Sequence, residues 1–232
     1  KDSKRLSKKK RLELFNEIVN VAIDFSIVNI DVQTIDDINN QINLLHVSHS
    51  VHHGDGGIAF AVADLLSTQQ RQGIYSRWLT ADQFLPLKRD KSLVDKINFI
   101  NPSVIHYHGL WRSHTRIIKQ LKHFQGNSIV APHGMLDAWA MAHASWKKEL
   151  VWSLWESQAL RKAGCIHALC YPEAVAIQKR LPKIPIALIP NGVHIPTNRL
   201  TSRNELPWAN DIQEDGKILL FFGRFHLKKG IE

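Results

Sequence analysis

From Ile42 onward the chain alternates short apolar runs with stretches whose apolar positions recur at helical spacing. INLLHVS (42–48) predicts a strand, and GGIAFAVADLLSTQQRQG (56–73) predicts an amphipathic helix closed by Gly73. IYSRWLT (74–80) and PSVIHYHG (102–109) predict a second and a third strand. SHTRIIKQLKHFQG (113–126) predicts a helix and NSIVAPHG (127–134) a fourth strand. WKKELVWSLWESQALRKAG (146–164) then reads as helical, GCIHALCYP (164–172) as strand, PEAVAIQKRLP (172–182) as a short helix, and IPIALIPNG (184–192) as a further strand ending in a turn. Each predicted strand is a near-continuous apolar run, the pattern of strands covered on both faces of a parallel sheet. The expected fold is a doubly wound, Rossmann-like α/β domain with helices on both faces.

The pattern also divides the chain. Residues 1–41 form an appendage: RLELFNEIVNVAIDFSIV (11–28) has helical periodicity, and the polar DVQTIDDINNQ (31–41) separates it from the first strand. Residues 42–200 carry the strand–helix rhythm, and 201–216, without periodicity and rich in Asn, Pro and Asp, read as a linker. Residues 217–232 (KILLFFGRFHLKKGIE) predict one strand and a basic loop, too little for a domain, so a second domain is expected to be opened here and cut short.

Composition narrows the class without changing this picture. A hydrophobic content of 44% with 22% charged residues suits a folded globular chain. No stretch approaches the roughly 20 apolar residues of a membrane span. The basic start is not followed by the apolar run and cleavage site of a secretory signal, so a cytoplasmic location is the expectation. Cys165 and Cys170 lie too close together for a disulfide framework and are expected to pack. The net charge of +9 points to anionic partners, although residues 1–11 alone hold seven Lys or Arg against one Asp. That segment reads as a solvated tail or as a contact for an acidic membrane surface or nucleic acid.

Ligands of open parallel sheets sit outside the carboxyl ends of the strands. GDGGIA (54–59), HYHGLW (106–111), APHGML (131–136), PNGV (190–193) and FGRFHLKKG (222–230) all follow predicted strands and would share one rim. Gly56 and Gly57 lack a Cβ and open a helix whose free N–H groups suit a phosphate. The literal match to a dinucleotide fingerprint is weak, because a tight dinucleotide turn should follow its strand at once. His49, His52 and His53, joined by His106 and His108, invite a zinc site, but no thiolate is spaced to join them. Hydrogen bonding to hydroxyls is the more economical role. His133 sits between Pro132 and Gly134, a context that should turn its imidazole into the rim cleft. Trp111 and Trp139 either stack on a sugar or pack. Arg224 and Lys229, on a glycine-flanked loop, form a clamp for a diphosphate or a solvated basic loop.

Taken in order, HVSHSVHHGDGGIAFAVADLL, VIHYHGLW, APHGML, IPNGV and LLFFGRFHLKKGIE resemble the amino-terminal domain and the start of the carboxy-terminal domain of the family 4 retaining glycosyltransferases, enzymes of the GT-B fold. The resemblance covers roughly residues 42–232. It implies two Rossmann-like domains across a cleft, transfer of a sugar from a nucleotide-diphosphate donor to a saccharide or lipid-linked hydroxyl, no resident cofactor and no metal. By the same resemblance His133 faces the reacting sugar, and Gly56, Gly57, Arg224 and Lys229 hold the donor phosphates. His108, Trp111 and Asn191 line the acceptor and sugar cleft. Peripheral contact with the inner face of the membrane is compatible with these expectations, and nucleic acid is not an expected partner. The family's acidic element and base pocket would lie beyond Glu232, so the 232 residues alone are expected to be inactive. Two rival readings are a non-catalytic binding module and a nicotinamide-dependent oxidoreductase with Asp82 as ribose acceptor.

Overall fold

The computed structural model describes residues 43–52, 57–142, 145–193 and 221. The appendage at 1–41, Gly56, the linker, Arg224 and Lys229 therefore lie outside the described residues. Two compact units, Lys1–Pro190 and Asn191–Glu232, divide the chain.

In the first unit six strands form one sheet: β1 (Asn43–Ser48), β2 (Tyr75–Thr80), β3 (Val104–His108), β4 (Ser128–Ala131), β5 (Cys165–Ala168) and β6 (Ile186–Leu188). Their order is β2-β1-β3-β4-β5-β6, and every pairing is parallel. Helix α1 (Gly57–Arg71) links β1 to β2, and α2 (Arg89–Ile100) links β2 to β3. The chain moves one way along the sheet from β1 to β2 and the other way from β2 to β3. Right-handed crossovers therefore put α1 and α2 on opposite faces. This is the Rossmann-like α/β architecture the apolar runs predict.

The strands are less uniformly apolar than their composition suggests. Register places Leu45, Val47, Leu79, Ile105, Tyr107, Val130, Ile166 and Ala168 on one face, where they form the core with Leu93 and Ile97 of α2. The opposite face carries His46, His106, His108 and His167. Because side chains alternate with period two, HYH in β3 puts two imidazoles on one side and buries Tyr107 on the other. Helix α1 covers the histidine face, with Ala59 and Val62 turned inward.

Two helices depart from the sequence pattern. The stretch predicted as one helix over 113–126 is α3 (Ser113–Arg116) followed by 3₁₀ turns at Ile117–Lys119 and Lys122–Phe124. Leu121 leaves the helical region (φ −90°, ψ 59°), which lets both Leu121 and Phe124 enter the core. After the short α4 (Ala138–Ala142), the long helical stretch splits into α5 (Ser145–Val151), a π-helical segment at Trp152–Glu156, and α6 (Ser157–Leu160). The π turn rotates the helix face and brings Glu156 to zero exposure. The last helix of the unit is α7 (Tyr171–Arg180). Cys165 is half-buried in β5, but Cys170 is exposed at the start of α7 and does not pack. Among the described residues no helix is long and apolar enough to cross a membrane.

Candidate functional site

The strand order reverses direction between β1 and β3, and a crevice opens outside their carboxyl ends, where ligands of such sheets bind. Its walls are Ser48, His49 and Ser50 after β1, His108, Gly109 and Leu110 at the end of β3, Ile58 and Ala59 in the first turn of α1, and Arg112, His114 and Met135. The loops that form it are held in left-handed backbone conformations: Gly109 has φ 82°, Trp111 71°, His133 54° and Gly134 72°. A left-handed residue with a side chain costs about 1–2 kcal/mol, and such residues gather at sites where the surrounding structure over-determines them. Among the described residues only Asn101, which caps the end of α2, is a further non-glycine case.

Two buried carboxylates hold these strained loops, and neither was singled out from the sequence. Glu173, 2% exposed in the first turn of α7, accepts hydrogen bonds from Gly134 N (2.5 Å) and Leu169 N (2.7 Å). Glu156 accepts from Trp111 N (3.2 Å) and from the Thr115 hydroxyl (3.1 Å), both through Oε2. Its Oε1 is buried, and the Trp155 indole faces the carboxyl without closing a normal hydrogen bond.

Burial pushes the Glu156 carboxyl up to about 7, against the partial compensation of those hydrogen bonds. The folded chain therefore holds this proton more tightly than the unfolded chain does. The resulting stability is complete below the ordinary value of 4.5 and is lost as pH rises to about 7. The shift corresponds to about 3 kcal/mol. Chemical denaturation of Glu156→Gln across this window should show a flatter pH dependence than the parent, with the gain in stability largest above neutrality. Equal slopes for the two proteins would show that Glu156 is not the titrating group.

Behind the crevice the histidine face forms a connected array. His46 Nε2 lies 2.7 Å from Gln69 Oε1, His46 Nδ1 lies 2.9 Å from His108 Nε2, and His108 Nδ1 lies 3.1 Å from His133 Nε2. A second branch joins His106 Nε2 to His167 Nδ1 (3.3 Å) and His167 Nε2 to the Ile189 carbonyl (2.7 Å). Burial lowers the pKa of His46, and it lowers those of His106 and His108 well below the ordinary histidine value, with neighbouring imidazoles adding to the shift in His106 and His108. His133 is lowered to about 4, by burial first and by His167 second. These rings are neutral at physiological pH. His114, fully buried, hydrogen-bonds the Gly109 carbonyl through Nε2, and burial lowers it to about 4. Its Nδ1 has no partner among the described residues.

Nitrogens of His46, His106 and His108 lie within 4.8 Å of one another, close enough to hold a metal ion. His106 and His108 belong to the histidines that suggested zinc in the sequence, but among the described residues their third member is His46 of β1 and not a loop histidine. As the structure stands, the two facing nitrogens of His46 and His108 share a hydrogen bond with each other. The array is accordingly a hydrogen-bonded one, and His52 instead stands 3.8 Å from Asp82.

Of the residues singled out from the sequence, His108 lines the crevice and His133 sits one hydrogen bond behind it. Gly57 opens α1, and a Cβ built on it meets nothing within 4 Å. Trp111 packs against Trp152 with ring centroids 6.4 Å apart. Asn191 opens the second unit and is exposed. Asp82 follows β2, where its amide donates to the His49 carbonyl. Burial raises the Asp82 carboxyl, but hydrogen bonds from Thr80 and Ser50 and the nearby His49 and His52 outweigh it and leave the pKa below the ordinary value. A larger depression at the opposite end of the strands is lined by Lys119, Lys122, Gln125, Gln158, Arg161 and Lys162, and Lys119 Nζ donates to Gln158 Oε1 across it. Protein-family models give no match to the chain, and neither do curated proteins.

Proposed function

We propose that the chain is the acceptor-side domain, with the start of the donor-side domain, of a retaining glycosyltransferase of the GT-B type. In this reading a sugar passes from a nucleotide-diphosphate donor to a saccharide or lipid-linked hydroxyl, in the cytoplasm or at the inner face of the membrane. The observation that carries it is the crevice at the β1/β3 switch point, walled by neutral imidazoles and framed by strained loops. Neutral imidazoles suit sugar hydroxyls because each ring both donates and accepts a hydrogen bond without adding charge. The first N–H groups of α1, starting at Gly57, supply donors and partial positive charge for the donor phosphates. Arg224 and Lys229 would take the charge that grows on the departing diphosphate, which leaves no step that requires a metal.

The run from Ser48 to the start of α1 at Gly57 is longer than the tight turn of a dinucleotide fold, which disfavours the oxidoreductase reading. Gly57 gives the sharper test. A methyl group there meets no atom of the described residues within 4 Å, so alanine is accommodated without a clash. Gly57→Ala should therefore leave the thermal midpoint unchanged, and should weaken binding of nucleotide-diphosphate sugars by about tenfold, as expected for a lost phosphate contact of roughly 1.4 kcal/mol. Both measurements belong on the full coding sequence that contains this chain, with a panel of nucleotide sugars. Failure of every donor to release its nucleoside diphosphate in the presence of saccharide or lipid acceptors would end the glycosyltransferase reading.

A further inference from the structure

The hydrogen-bond array has a direction: it runs from Gln69 through His46 and His108, which lines the crevice, to His133 on the adjoining rim loop. In the second branch the Ile189 carbonyl can only accept, so His167 donates to it through Nε2, while its Nδ1 faces His106 Nε2. The same logic runs through the first branch. Gln69 Oε1 accepts from His46 Nε2, so neutral His46 accepts through Nδ1 from His108 Nε2, and neutral His108 accepts through Nδ1 from His133 Nε2. His114, held by the Gly109 carbonyl, carries its proton on Nε2 as well. Burial keeps the four rings of the two branches whose pKa values are lowered neutral, and a neutral ring has one proton to place.

We propose that Gln69, acting through His46 and His108, fixes His133 as the Nε2–H tautomer and leaves its Nδ1 lone pair as an obligate acceptor for a ligand hydroxyl. Three observations support this. His133 Nδ1 has no partner among the described residues, while its Nε2 is committed to His108. The left-handed backbone at His133 and the clamp of Glu173 on Gly134 N hold the ring in place. Gln69 lies about three helical turns along α1 from Gly57, so the helix that opens at the rim also anchors the array. If the Gln69 amide were turned to donate, each ring in turn would reverse, and His133 would present an N–H instead. Gln69, His46 and His108 are thus positioning residues. The tautomer rests on the hydrogen-bond geometry together with the neutrality of the buried rings, whereas its use against a sugar hydroxyl rests on the function proposed above.

The test reads the tautomer directly and needs no turnover. Long-range ¹H–¹⁵N correlation spectra of the ¹⁵N-histidine-labelled protein, recorded at about pH 8, above the ordinary histidine pKa, should show His133, His108 and His46 each protonated on Nε2. Gln69→Leu removes the terminal acceptor and should convert His133 to a mixture of tautomers, whereas Gln69→Glu, an acceptor-only side chain, should retain the pure Nε2–H form. A wild-type His133 protonated on Nδ1 would overturn the proposal whatever the variants do. So would an unchanged His133 signal in a folded Gln69→Leu protein, or stoichiometric zinc bridging His46, His106 and His108. A correct tautomer in a protein that transfers no sugar would uphold the positioning role and refute the function.

Discussion

If the protein is the glycosyltransferase proposed above, replacing His133 with asparagine in its full-length form is expected to lower kcat by about a hundredfold or more, with little change in nucleotide affinity. Asparagine is the informative choice because the residue at 133 has φ 54°, a conformation that asparagine adopts far more readily than alanine. His133→Ala would combine loss of the imidazole with backbone strain, and a fall in activity could then be blamed on the loop. Asparagine keeps the loop and gives up one hydrogen bond to His108, a loss of about 1 kcal/mol. The variant should therefore melt close to the parent and show unchanged circular dichroism. Selectivity for kcat follows from the roles in the proposed function, in which His133 would act on the reacting sugar whereas α1, Arg224 and Lys229 would hold the phosphates. Unimpaired kcat in a folded His133→Asn protein would leave that imidazole a structural role only.

The parts of the molecule that were legible in the sequence are those with a local cause. β1 through β6 announced themselves as apolar runs bounded by Gly, Pro or Asn, and Gly73 closes α1 with φ 80°. Pro132 and Gly134 around His133 correctly implied a sharp turn. By contrast, α2 was not read, although Leu93, Val94, Ile97 and Ile100 have helical spacing. Interleaved charges at Arg89, Asp90, Lys91, Asp95 and Lys96 dilute the pattern, and Lys88 at its start offers no capping side chain. The period-two placement of His106 and His108 is visible in HYH, but its meaning comes from His46 and Gln69, which join the array only through sheet register and the packing of α1.

Carboxylates that shape a site from a distance are harder still to see. Glu156 acts on Trp111, 45 positions away, after a π turn that no local signal marks, and Glu173 acts on Gly134 across 39 positions. Each looks in sequence like an ordinary helix-surface acid. Only the fold reveals that both are buried and that both hold the backbone of a rim loop.

For Glu173 this reading has a large expected consequence. Glu173→Ala would strip the acceptor from two backbone N–H groups at once, those of Gly134 and Leu169. A buried backbone donor left unsatisfied costs about 1–3 kcal/mol, so the expected destabilisation from losing both is about 2–6 kcal/mol. For a domain of this size that corresponds to a fall of several degrees or more in thermal midpoint. Glu173→Gln should fall between, because its amide offers one acceptor oxygen but turns N–H donors toward a backbone donor. Amide hydrogen exchange locates the damage: Gly134 and Leu169 should lose protection first, ahead of the central strands β1 and β3. A midpoint within a degree or two of the parent would mean that water satisfies both amides equally well. The left-handed geometry of His133 and Gly134 would then have to be held by the sheet end alone, and the case for Glu173 as the anchor of the rim would fail.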